Sequence, residues 1–259
     1  MSKPESWEQR YGREHRELSE LFDDRFSSPQ SWRGRREKEV SSLVGNMDMD
    51  KCEKFASYLN DVFIKAISRF GVVGLNKNWN EVPLEDKIFL TQSFINNVID
   101  ILMDDIVAGR VQVYKGNGEV YDGARNPGDE MFANFALQRP KINVKSAGTG
   151  MMAVQPTGDV LVNYDFPIYR SFRCFAMDLR HEMAHIVDVL MPQISPLSHD
   201  VVRNAVYFYL DQTENAELYA NNPLERNANL KRDEFAKQYD AMLQQYEYMR
   251  KKDAPDIHM

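Results

Sequence analysis

Cysteine is scarce in this chain. Only Cys52 and Cys174 occur among its 259 residues, in unrelated surroundings. No disulfide framework is therefore expected, which fits a reducing compartment. Long apolar runs are missing as well: none reaches the ~18 residues of a membrane-spanning helix. The first 40 residues are polar and charged and contain no apolar signal-peptide core. The expected location is the cytoplasm, or the outside by a route that uses no cleaved signal. Nor is there an excess of positive charge. The 32 Lys and Arg are dispersed among 39 Asp and Glu, leaving a net charge of −7. That argues against a nucleic-acid partner. Histidine is rare too, with five in all.

Two of those five stand four residues apart, in Leu179-Arg180-His181-Glu182-Met183-Ala184-His185-Ile186-Val187-Asp188. Residues four apart on an α-helix lie one above the other on the same face. Phe175, Leu179, Ile186, Val189 and Leu190 continue a helical apolar pattern around them. Two imidazoles so placed can both reach one Zn²⁺ at ~2.0–2.1 Å. Glu182 follows the first histidine directly. Its carboxylate can border the same site without being a ligand and take a proton from metal-bound water. A His-Glu-His set inside a buried helix is costly unless a partner such as a metal compensates it.

A catalytic zinc usually takes three protein ligands. Downstream candidates for the third are Asp188, His199, Glu214, Glu217 and Glu225. Asp188 lies three residues past His185, better placed to orient a ligand imidazole from behind. His199 follows two prolines in a loop-like stretch. The three glutamates sit on or near a helix after the motif, which suits a two-His-one-Glu site.

The rest of the chain is read for organisation. Residues 1–45 look like a polar, partly flexible segment. They include a charged helix over 14–26, a break at 27–31 and a basic cluster of Arg33, Arg35, Arg36 and Lys38. That cluster reads as a solvated helix face or linker, with a docking arm as the functional alternative. Residues 46–109 form a helical subdomain, or the start of one continuous domain. Phe55, Tyr58, Leu59, Val62, Phe63, Ala66, Ile67 and Phe70 mark one amphipathic helix, ended by Gly71. A second opens near Pro83 and ends near Gly109. The pattern then turns to strands. A hairpin is expected with its turn at Asn117-Gly118, a turn at 126–128, a short strand over 141–145, and a second hairpin of 151–154 with 160–164. The stretch 151–165 is the candidate edge strand to pair with an extended substrate backbone. Beyond the motif, helices are expected over 200–210 and 233–252.

The motif, Asp188, and Tyr219-Ala220-Asn221-Asn222-Pro223-Leu224-Glu225 together resemble the gluzincin metallopeptidases. The similarity is to the MtfA-type peptidases and the catalytic domain of anthrax lethal factor. The order Glu225-Arg226-Asn227-Ala228-Asn229 resembles the ImmA/IrrE-type metallopeptidases instead. The likeness covers about residues 150–240. It implies that Glu225 is the third zinc ligand, beside His181 and His185. It also implies Glu182 as general base, Tyr219 as the phenol that stabilises an oxyanion, and Asp188 as a supporting residue. The implied fold class is α+β: a mostly helical, zincin-like fold over 110–259 with a small antiparallel sheet before the motif helix. The implied activity is zinc-dependent hydrolysis of peptide bonds in a protein or peptide substrate. Two alternatives remain: an effector or regulator that cleaves one partner protein, and a non-catalytic binding protein of the same fold.

Overall fold

The computed structural model describes residues 29–71, 79–114, 120–121, 142–144, 152–154, 159–165, 169–207 and 215–252. The helix expected over 14–26, the turns at 117–118 and 126–128, and Glu214 lie outside these. The described chain is mostly helical, with one small sheet.

Helix α1 is Pro29–Gly45 and α2 is Met49–Phe70. The Asp48 carboxylate caps α2 by accepting the Lys51 amide at 3.2 Å, and Gly71 ends it at φ 68°, a conformation that suits glycine. Helix α3 is Leu84–Val107, entered from Pro83. The apolar stripes of α2 and α3 face each other, with Phe63 edge-on to Phe94 at 5.4 Å. The same buried cluster takes in β3, the motif helix and the last helix, so residues 46–109 and the segments after 110 share one core. Val40 and Leu43 of α1 are buried against Leu218. The described end of the 1–45 segment is thus a helix packed through two apolar residues.

The sheet corrects one expectation. Its strands are β1 (Ile142–Val144), β2 (Met152–Val154) and β3 (Val160–Val162), in the order β1-β3-β2. The hairpin of β2 and β3 is antiparallel, with Ala153 opposite Leu161. β1 pairs with β3 in parallel, with Asn143 opposite Leu161. The sheet is mixed rather than antiparallel, because the chain from β1 crosses over through β2 before β3 slots between them. β2 is left as an edge among the described residues. Of the first hairpin, the described residues show one antiparallel bridge, Tyr114 with Val120.

Helix α4, Phe172–Leu190, carries the motif and opens on Ser171, whose hydroxyl accepts the Cys174 amide. It is buried almost all round, from Phe175 to Asp188. Helices α5 (His199–Tyr207), α6 (Ala216–Asn221), α7 (Pro223–Asn229) and α8 (Arg232–Lys252) follow. No helix of the described chain is long and apolar enough to cross a membrane.

Candidate metal centre

The seven residues of α7 are too few for a helix that is stable alone. Buried polar contacts hold it. At its start the Asn222 carboxamide accepts the Leu224 amide at 3.0 Å and donates to the Ala205 carbonyl at 2.9 Å, tying α7 to α5. At its end Arg180, fully buried, donates to the Ala228 carbonyl. The same guanidinium donates to the Asn60 side chain at 2.8 Å and the Ala56 carbonyl at 3.1 Å, both on α2. Asn60 in turn donates to the Lys231 carbonyl at 3.0 Å.

Held this way, α7 aims Glu225 at the two motif histidines. His181 Nε2 lies 3.3 Å from Glu225 Oε2, and His185 Nε2 lies 3.3 Å from Glu225 Oε1. The two Nε2 atoms are 3.1 Å apart. Donors bound tetrahedrally to one ion at ~2.0–2.1 Å stand about 3.3–3.4 Å from one another. In the observed triangle each Nε2 stands near that distance from the other Nε2 and from one of the two Glu225 oxygens, and a donor set of two imidazoles and a carboxylate suits a divalent cation. These three residues can hold a metal ion.

Glu182 borders the triangle as expected. Its Oε2 accepts the backbone amide of Val154, on the edge strand β2, at 3.1 Å. Burial raises its pKa, against the pull of the two histidines. Burial works on the others too. It would raise the Glu225 carboxyl, but the hydrogen bonds to His181 and His185 outweigh it and hold that group well below the carboxylate range. It would lower His185, but the bond to Glu225 and the charge of Glu182 lift it to about 9. Three buried carboxylates (Glu182, Asp188 and Glu225) thus crowd two imidazoles. A cation held there would face these carboxylates in place of the imidazole proton.

Asp188 lies three residues past His185 on α4. It is fully buried, and burial lifts its carboxyl to about 6. Its hydrogen bonds come from the Ser195 hydroxyl and from Asn227 Nδ2, at 3.3 Å to Oδ1 and 3.0 Å to Oδ2. Those bonds join the turn just past the end of α4 to α7, while the charge of Asp188 also helps to raise the His185 imidazole. Tyr219 lies on α6, partly buried, with Asn222 between it and α7. His199 and Glu217 are exposed at the starts of α5 and α6, outside the converging group.

Sequence reasoning missed Arg180, Asn60, Asn227, Ser195 and the Val154 amide. Two of these carried a signal. Asn60 interrupts the apolar face of α2, and Arg180 interrupts that of α4. A polar group at a core position needs a buried partner. No family model, curated protein or solved structure matches this chain, so the site is read on its own geometry.

Proposed function

We propose that this protein is a zinc-dependent peptidase. The observation that carries the reading is the convergence of His181, His185 and Glu225, with the Glu182 carboxylate beside them and an edge strand bonded to that carboxylate. It agrees with the resemblance to the gluzincins. Zinc held by the three residues would act as a Lewis acid and bring the pKa of a bound water to about 7. Glu182 takes the proton of the attacking water on its carboxylate and returns it to the leaving amine nitrogen. The Val154 amide fixes Oε2 of that carboxylate. The free edge of β2 pairs with the extended backbone of the substrate, bringing a peptide carbonyl toward Glu182. Tyr219 is assigned the phenol that donates to the developing oxyanion.

The test is Glu182→Gln. The variant is expected to keep its fold and about the wild-type ion content and to lose hydrolysis of an unfolded protein substrate, because the amide cannot accept the proton. Full activity in that variant would remove Glu182 from the reaction and the mechanism with it.

A further inference from the structure

Helix α7 meets α4 at three points. Arg180 holds the Ala228 carbonyl, His181 and His185 face Glu225, and Asp188 faces Asn227. Along α4 these span residues 180 to 188, about 12 Å at 1.5 Å per residue. The middle contact is the metal triangle. The outer two set how α7 sits against it.

Asn227 has features that single it out. It is 2% exposed and sits two residues past Glu225 on the same short helix. Its Nδ2 donates to both oxygens of a fully buried carboxylate. Ser195 donates to the same group, and the Leu197 amide donates to the Ser195 hydroxyl at 3.1 Å. Asp188 is thus fixed by the turn that follows α4 and is in place to receive Asn227. We propose that Asn227 is a positioning residue of the metal centre: by gripping Asp188 it locks α7 onto α4 and sets the Glu225 carboxylate at ligand distance from the two imidazoles. The inference rests on the metal-binding reading of the triangle and adds to it a partner for Asp188 other than a ligand.

The pair offers a test of its own. In Asp188→Asn/Asn227→Asp the donor and acceptor trade places, so the carboxamide at 188 donates to the carboxylate at 227 and the grip is re-formed. Zinc affinity of the full chain is measured by competition with a coloured chelator. The visible spectrum of the cobalt-loaded protein reports ligand geometry separately. Asn227→Ala is expected to bind zinc about 10–100-fold more weakly, the usual cost of losing a supporting contact, with an altered cobalt spectrum. Asn227→Asp alone sets two carboxylates face to face and is expected to be at least as weak. The swapped double variant is expected to recover most of the affinity and the wild-type spectrum. A loss due only to a loosened fold would leave the folded fraction of Asn227→Ala with the wild-type cobalt spectrum, and that result also overturns the assignment. Wild-type affinity in Asn227→Ala, or a swap no tighter than Asn227→Asp, overturns the assignment while leaving the metal reading standing. A wild-type chain that takes up neither zinc nor cobalt overturns both.

Discussion

Two seams of this molecule join helices by opposite means. The α2–α3 seam is mainly apolar: Leu59, Val62, Phe63 and Ile67 share one core with Phe94, Ile95, Val98 and Leu102, and the Tyr58 hydroxyl donates to the Asp105 carboxylate at its edge. The α4–α7 seam carries a line of polar contacts, from Arg180 through the histidines and Glu225 to Asp188 and Asn227. The first seam contributes the usual ~25 cal/mol per Å² of buried apolar surface. The second buries several charged groups, whose desolvation can exceed their mutual attraction.

Phe63→Ala tests the apolar side and has the largest expected effect. Phe63 is fully buried and touches both Phe94 and Phe235. Truncation is expected to cost about 3–5 kcal/mol in chemical unfolding. The folded fraction should still bind zinc with wild-type affinity, since no part of the triangle is altered. Weakened binding in that fraction would mean that the two seams are coupled.

The next test turns the polar seam into an apolar one. In His181→Leu/His185→Leu/Glu225→Met the ligands are replaced by apolar groups of similar volume. Compared in the absence of zinc, the variant is expected to match the wild type or exceed it by about 1–4 kcal/mol, as when other buried ionic groups are replaced. Zinc should stabilise the wild type and leave the variant unmoved. A variant much less stable than the zinc-free wild type would assign the triangle a structural part instead.

The two seams also differ in how far the sequence revealed them. The apolar seam was legible almost to the residue, because period-3.6 patterning and Gly71 read directly as a helix and its end. The motif supplied His181, Glu182 and His185 by spacing along one helix. Glu225 needed the resemblance to be chosen among the downstream acids, since no spacing rule fixes where a second helix docks. Asn227, Ser195 and the Val154 amide were not legible. Their roles depend on how α7, the turn after α4 and the edge strand pack, and each is an ordinary polar group until placed. The parallel pairing of β1 escaped for the same reason: a three-residue strand carries no sign of which neighbour it takes or in which sense.

The smallest effect expected is also the most diagnostic of the polar seam. His185 is lifted to about 9 and Glu225 is held well below the usual range, so near neutral pH the zinc-free triangle holds a proton on His185 beside an ionised Glu225. The raised histidine stabilises the zinc-free fold fully below its unfolded value of about 6.5, and this contribution is lost as pH rises through 9. A zinc ion must displace that proton to bind Nε2. The His185 proton should therefore make affinity rise about tenfold per pH unit from 7 to 9, about 1.4 kcal/mol per unit, and cease to contribute above 9, beyond the slope that ionisation of the zinc-bound water adds. Glu225 is ionised across this range and adds no slope. Isothermal titration in buffers of different ionisation enthalpy counts the protons released: the His185 proton contributes about one at pH 7.5 and falls toward none at pH 10, on top of the proton that a zinc-bound water of pKa about 7 gives up across that range. A profile with only the water's slope would mean that His185 is already neutral when zinc arrives, and that the histidine–glutamate contacts are not the charged pair that distinguishes this seam from its apolar counterpart.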